Sequence, residues 1–210
     1  MEKKNLLLYA VTDRTWLGSE TLAMQVEKAL RGGVTMVQFR EKHLQGEALE
    51  QEARSVQAVC RKYQVPFLVN DDVLLAKKID ADGVHIGQGD MPLREARALL
   101  GAGKIIGVTA KTVAQAKEAE AGGADYLGSG AVFGTATKQD AKRMDHALLD
   151  QICESVRIPV VAIGGICSDN ILELKGRKMN GVAVVRGIFH SDDIEGAARN
   201  LRKLAEEAVM

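Results

Sequence analysis

Eight times along the chain a short apolar run gives way to a segment with apolar residues at helical spacing, and this alternation constrains the fold more than any single residue does. The strand-like runs are Leu6–Asp13, Met36–Lys42, Phe67–Asp71, Gly83–Gly87, Lys104–Val108, Tyr126–Val132, Pro159–Ile163 and Val182–Val185. The first helix is expected after Ser19 as N-cap, with Leu22, Val26, Ala29 and Leu30 on one face. Further helices are expected over Glu47–Tyr63, Val73–Ile79, Leu93–Leu100, Val113–Ala121, His146–Val156 and Asp193–Ala208, with one more opened by Ser168-Asp169. Three helix-to-strand junctions are alike: Arg31-Gly32-Gly33-Val34, Ala121-Gly122-Gly123-Ala124 and Met179-Asn180-Gly181-Val182. Glycine or asparagine there suits the left-handed residue that stops a helix.

Strict βα alternation gives a parallel sheet, and eight units close it into a (β/α)8 TIM barrel. An open doubly wound sheet usually needs fewer strands, and no Gly-x-Gly-x-x-Gly follows the first strand. The 210 residues are read as one TIM-barrel domain, 1–210, with short loops.

Charge narrows the partners. Lys plus Arg and Asp plus Glu both number 28, with no basic block or stripe, so neither nucleic acid nor a membrane surface is expected. Any anion must be bound at a local site. Cys60, Cys153 and Cys167 are scattered without a metal-ligand spacing, as in reduced thiols of a cytoplasmic protein. The apolar run Leu6–Val11 is ended by Thr12-Asp13-Arg14 too early for a signal or membrane segment.

In a TIM barrel the chemistry sits at the carboxyl ends of the strands. On the second strand Gln38, Arg40 and Lys42 share one face, while Val37 and Phe39 share the other. That polar row is either the solvated face of an edge strand or a cationic rail at the barrel mouth. A closed barrel has no edges, which favours the rail. The third strand ends in Asn70-Asp71-Asp72, and Gln88-Gly89-Asp90 follows the fourth. Asp71 and Asp90 can therefore converge on one hard cation such as Mg2+, which takes one or two carboxylates and fills its shell with water and phosphate oxygens. Each is as readily read as a helix N-cap. Gly164-Gly165 and Val185-Arg186-Gly187 end strands seven and eight, the usual phosphate site of this fold, and Thr135 and Thr137 can add hydroxyls to it. Lys138 alone would be a surface lysine; opposite Gln38, Arg40 and Lys42 it completes a ring of cations. His85 is read as a packed core histidine, and Trp16 as loop packing or a ligand lid.

The series Tyr9-Ala10-Val11-Thr12-Asp13, Gln38-Phe39-Arg40-Glu41-Lys42, Asn70-Asp71, Gly83-Val84-His85-Ile86-Gly87-Gln88-Gly89-Asp90, Gly134-Thr135-Ala136-Thr137-Lys138 and Ala162-Ile163-Gly164-Gly165-Ile166 resembles the thiamine phosphate synthase family. The resemblance implies condensation of 4-amino-2-methyl-5-pyrimidinylmethyl diphosphate with thiazole phosphate, giving thiamine phosphate and pyrophosphate. It implies that Gln38, Arg40, Lys42, Asn70 and Lys138 hold the pyrimidine diphosphate, with Phe39 and Glu41 of the same motif in the binding site. By the same resemblance Thr109 lies near the pyrimidine and Asp71 and Asp90 carry Mg2+. Thr135, Ala136, Thr137, Gly165, Val185 and Arg186 would hold the thiazole phosphate. Arg40, Lys42, Lys138 and Thr109 are the expected catalytic groups.

Three positions depart from the family pattern: Thr109 stands for a usual serine, Lys111 for a common histidine, and Arg186-Gly187 for a usual Ser-Ala. Two alternatives are a thiazole tautomerase on the same barrel and a non-catalytic phosphate-ligand-binding barrel. The tautomerase needs no diphosphate site and is expected to carry a histidine where this chain has Ala131. Partners are expected to be small molecules, and the sequence leaves room for a homo-oligomer.

Overall fold

The structure, a computed structural model, describes residues 1–134 and 143–210. Eight parallel strands, each paired with the next and the last with the first, form a closed barrel: β1 (Leu8–Val11), β2 (Met36–Phe39), β3 (Phe67–Asn70), β4 (Gly83–Ile86), β5 (Ile105–Thr109), β6 (Tyr126–Gly130), β7 (Val160–Ile163) and β8 (Gly181–Val184). The closing register sets Leu8 against Val182 and Ala10 against Val184. Around the barrel run α1 (Leu22–Arg31), α2 (Gly46–Lys62), α3 (Val73–Lys78), α4 (Leu93–Leu100), α5 (Val113–Ala121), α6 (His146–Ser155), the single turn α7 (Arg186–Phe189) and α8 (Ile194–Val209). Among the described residues no helix is long and apolar enough to cross a membrane.

Strand parity divides the core in two. Residues such as Ala10, Val37, Val69, Val84 and Val108 point outward and pack with the helices, while Tyr9, Met36, Leu68, Tyr126, Val161 and Ala183 fill the barrel interior. Both faces of a parallel sheet are thus covered, which is why its strands read as nearly continuous apolar runs.

The helix starts follow local hydrogen-bonding chemistry. Thr21, not Ser19, caps α1, its hydroxyl accepting from the Met24 N–H at 3.2 Å. Ser19 lies too far upstream, in the turn before the helix. Asp72 caps α3, Thr112 caps α5 and Asp193 caps α8. Gly33 (φ +100°) and Gly123 (φ +89°) take the expected left-handed stops, whereas Gln64 (φ +56°) and Asp80 (φ +54°) do so after α2 and α3 without a glycine.

The segment after β7 departs from expectation. In place of a helix opened by Ser168-Asp169, there is only a 3-10 turn over Ile171–Leu174. Asn170 curls the chain back by accepting from the Cys167 N–H at 2.9 Å and donating to the Gly165 carbonyl at 2.9 Å. Asn180, read as a helix stop, does not have a positive φ and has no helix before it. Its side chain has another task, shared around the barrel.

At the amino-terminal end, the residue before each even strand accepts a backbone N–H from the odd strand preceding it. Thr35 takes Leu8 N (3.0 Å), Asp82 takes Phe67 N (2.8 Å), Asp125 takes Ile106 N (2.7 Å) and Asn180 takes Val160 N (3.0 Å). Four side chains thereby satisfy donors that the ladder leaves at its lower rim, the end of a TIM barrel devoted to stability. Asn180→Ala leaves Val160 N without that acceptor and is expected to cost about 1–2 kcal/mol, read as a lower midpoint in urea unfolding. An unchanged midpoint would show that the bracket contributes nothing.

Candidate active site

The site is built outward from β2. The strand stops at Phe39 because the Thr12 hydroxyl takes over the backbone of Arg40, accepting from its N–H at 2.8 Å and donating to its carbonyl at 3.2 Å. Arg40 and Lys42 therefore leave the sheet on a loop at the carboxyl end of the barrel, tied to the end of β1. The Arg40 guanidinium lies 3.3 Å from Asp13, and the Lys42 ammonium lies 2.8 Å from Asp71. Gln38, one step deeper and buried, donates to the Tyr9 hydroxyl at 2.8 Å.

Two members of the same motif turn elsewhere. Phe39 points outward into the layer between barrel and helices, its ring 6.1 Å from that of Phe67, so only its backbone faces the mouth. Glu41 has no exposed side-chain surface. Its carboxylate accepts from Arg14 Nε at 2.6 Å, from His43 N at 2.6 Å and from Leu44 N at 3.3 Å. It pins the loop that carries Lys42 and fastens it to Arg14, which also reaches Glu52 at 2.9 Å. Phe39 thus packs between barrel and helices, while Glu41 lines the mouth and fixes the loop there.

Both carboxylates at the ends of β3 and β4 are released from helix capping. Asp72, not Asp71, caps α3, and Asp71 takes a left-handed conformation (φ +63°) that turns the chain between strand and helix. The N-cap of α4 is Pro92, with no side-chain cap, while Asp90 accepts from the Gly87 N–H through one oxygen at 2.6 Å. Among the described residues no group of three His, Cys, Asp or Glu gathers around one point. Asn70 ends β3 on the inward face beside His85, and Thr109 ends β5 with its hydroxyl 3.0 Å from His85 Nε2.

On the far side, β6 and β7 loops meet through glycine. Gly164 (φ +106°) and Gly165 (φ +69°) bring the chain so close that a Cβ on Gly165 would stand 2.2 Å from the Gly134 carbonyl. Phe133 N donates to Gly164 O at 3.0 Å, and Asn170 braces Gly165 from below. Thr135, Ala136, Thr137 and Lys138 lie outside the described residues. Val185 is the N-cap of α7, and Arg186 is its exposed first residue.

An open pocket of about 300 Å³ brings part of this set together, without Gln38, Asn70, Asp71, Asp90, Thr109, Gly165 or Val185. Arg40 and Lys42 from the loop after β2, Arg186 from the start of α7, and Asp13, Arg14 and Trp16 from the segment after β1 all line it. Trp16 stands edge-on to His190 with ring centroids 5.4 Å apart. Arg40, Lys42 and Arg186 were singled out from the sequence, but not Thr12 and Asn170, which hold loop backbone, or Asp13, which pairs with Arg40. A hydroxyl or amide just past a strand end is their only signal. Two of the three thiols are held unreactive: burial pushes Cys60 up to about 12 and Cys153 up to about 11.

Glu41 makes the pH response of this scaffold testable. Burial alone would raise its carboxyl, but Arg14 and the His43 and Leu44 N–H groups outweigh that and hold it below the ordinary range. A depressed folded-state value means stabilisation that is full above the unfolded value of about 4.3 and lost as pH falls through the folded one. Glu41→Gln is therefore expected to be about 2 kcal/mol less stable at neutral pH, with the gap to the native protein closing below about pH 4. Urea unfolding across pH checks this; a gap independent of pH would remove the ionised carboxylate from the explanation.

Comparison with known proteins identifies the family and the fold. The family model described as thiamine monophosphate synthase matches residues 8–188. A thiamine-phosphate synthase from Clostridium novyi is 45% identical over 201 residues, covering 95% of this chain and 98% of the relative. Thiamine-phosphate synthase 2 from Streptococcus pneumoniae is 46% identical over 203 residues, covering 97% of each. The solved structure of thiamine phosphate pyrophosphorylase from Pyrococcus furiosus superposes with a TM-score of 0.91 at 38% identity, covering 99% of both chains. With its barrel, its motifs and nearly its whole length accounted for, the chain belongs to the thiamine monophosphate synthase family.

Proposed function

We propose that this enzyme joins the pyrimidinylmethyl group of 4-amino-2-methyl-5-pyrimidinylmethyl diphosphate to thiazole phosphate, releasing pyrophosphate. The observation that carries this reading is the meeting of Arg40, Lys42 and Arg186 in one pocket, with Asp71, which caps no helix, paired to Lys42. The methylene–oxygen bond of the diphosphate breaks and its electron pair leaves with pyrophosphate. The electron-rich aminopyrimidine stabilises the resulting cation, and the thiazole nitrogen closes the new carbon–nitrogen bond with its lone pair. No proton moves at the reacting atoms, so no nucleophile–base pair is needed.

What the chain must supply is orientation of two anionic substrates and charge placed in advance where the leaving group grows negative. Gln38, Arg40, Lys42, Asn70 and Lys138 are assigned to the diphosphate, Thr109 to the pyrimidine, and Thr135, Ala136, Thr137, Gly165, Val185 and Arg186 to the thiazole phosphate. Asp71 and Asp90 are assigned to Mg2+. The residues fit such an ion: Asp71 already holds a positive charge, the Lys42 ammonium, and Asp90 is oriented by Gly87 N. Bound there, Mg2+ would neutralise charge on the departing diphosphate.

A tautomerase reading lacks a base at its expected place, since Ala131 is a buried alanine whose carbonyl accepts from Met144 N. A barrel that only senses phosphate ligands is separated by experiment. Incubation with both substrates and Mg2+, then oxidation to fluorescent thiochrome, is expected to report product; substrate binding without product would exclude the synthase. Lys138→Ala is expected to lower kcat by about 10²-fold or more with little change in Tm, because its assigned contact is with the diphosphate; Asp90→Ala is expected to lower kcat as much and, by removing the acceptor of Gly87 N, to cost only about 1–2 kcal/mol of stability. Loss of stability in proportion to activity would reassign them as structural. Arg186→Ser is expected to raise the thiazole phosphate KM about tenfold, the size of one charge-assisted hydrogen bond. An unchanged KM would leave Arg186 a bystander.

A further inference from the structure

Beneath the mouth, five side chains from five different strands form a continuous hydrogen-bonded chain across the barrel interior. Gln38 Nε2 donates to Tyr9 Oη at 2.8 Å, Tyr9 Oη lies 2.8 Å from Tyr126 Oη, Tyr126 Oη lies 2.9 Å from His85 Nδ1, and His85 Nε2 lies 3.0 Å from Thr109 Oγ1. Both tyrosines are buried, and Gln38 and His85 are nearly so. Its ends are two residues already assigned to substrate, Gln38 and Thr109. Its middle is three residues with no assigned role.

The barrel has been hollowed to admit this chain. A Cβ on Gly107 of β5 would stand 2.1 Å from Cζ of Tyr126, and one on Gly128 of β6 would stand 3.0 Å from Cε1 of His85. Two interior positions that other residues could fill with methyl groups are left bare where the phenol and the imidazole pass. Polar groups sealed in such a space must satisfy one another, so the protons take a definite order.

The order follows from the Gln38 end. Because the amide donates to Tyr9, the Tyr9 proton is spent on Tyr126 and the Tyr126 proton on His85 Nδ1. A histidine that accepts at Nδ1 is neutral and carries its proton on Nε2, from which it donates to Thr109 Oγ1. In the reverse order Tyr9 would accept twice, and its own buried proton would lack an acceptor in the chain. Thr109, receiving from His85, keeps its proton to give away. Being β-branched, it also has few rotamers in which to do so. Burial raises both phenols far above the ordinary tyrosine range, so the chain stays protonated at working pH.

We propose that Tyr126, acting through His85, is a positioning residue that sets the Thr109 hydroxyl as a hydrogen-bond donor toward the barrel mouth, selecting a ring nitrogen of the aminopyrimidine. This rests on the reading of the site as a pyrimidine diphosphate site. Tyr9 and Gln38 extend the same order to the diphosphate side, so that both ends of one substrate are referred to a single rigid chain.

Tyr126→Phe keeps the ring that fills the barrel and removes only the relay oxygen. It is expected to raise the pyrimidine diphosphate KM about tenfold, one oriented hydrogen bond, while the thiazole phosphate KM stays within about twofold. Thr109→Val is expected to do the same, and the double variant to be no worse than Thr109→Val alone, because both remove one pathway. Equal rises in both KM values, or additive effects in the double variant, would overturn the proposal. Nitrogen NMR of the native protein, with His85 assigned by its loss in His85→Gln, decides the proton order independently of catalysis. An unprotonated Nδ1 with a protonated Nε2 is expected; the opposite tautomer would overturn it. If the native enzyme forms no product, the functional reading fails while the tautomer still decides the chain.

Discussion

The pairing of β1 with β8, with Tyr9 set opposite Ala183, is the contact on which everything else depends. It removes the last sheet edge, so every strand has two hydrogen-bonded neighbours and its side chains can only point to the helices or to the axis. Once closed, the interior is too narrow for water to solvate polar groups at mid-height. Tyr9, Tyr126 and His85 must therefore bond to one another, and the inward residues one step higher, Gln38 and Thr109, are held from beneath. Barrel closure thus becomes orientation at the mouth.

Above the strands, order comes from short side-chain-to-backbone bonds. Thr12 holds Arg40, Glu41 holds His43 and Leu44, Asp90 holds Gly87, and Asn170 holds Gly165 and Cys167. In each case a side chain beyond a strand fixes loop backbone at the carboxyl end of the barrel. Below the strands the same device, in Thr35, Asp82, Asp125 and Asn180, satisfies strand N–H groups instead. One kind of interaction serves stability at one end and geometry at the other.

Those features also mark where the sequence was legible. Strand–helix alternation and the double glycines at Gly32-Gly33 and Gly122-Gly123 are local signals, and they located the barrel and all eight strands to within a few residues. That Gln38, Arg40 and Lys42 would lie toward the barrel mouth was legible, but the strand ends at Phe39, so a loop and not strand parity carries the two cations, and their meeting with Arg186 was not foreseen. Local pattern could not say that Thr21 rather than Ser19 would cap α1, or that the segment after β7 would curl around Asn170 rather than form a helix. It could not turn Glu41 inward, because its partner Arg14 lies on another strand's loop. Tyr9 and Tyr126 read simply as apolar strand residues. That their hydroxyls meet depends on Gly107, a third strand's contribution, and such a coincidence becomes visible only in three dimensions.

The balance of charge at the mouth explains how a chain with no net charge can be ready for anionic substrates. Arg40 rests on Asp13 and Lys42 on Asp71, so neither cation is left to repel its neighbours. The Lys42–Asp71 pair is substantially exposed, 48% and 31% of the side chains, and pairs of that kind are worth about 0–1 kcal/mol. Transferring the ammonium from Asp71 to a diphosphate oxygen therefore costs little. The Arg14–Glu41 pair, with its carboxylate fully covered, is far more expensive to part and has no reason to move. In the proposed reaction the weak pair yields to substrate while the strong one keeps the loop still.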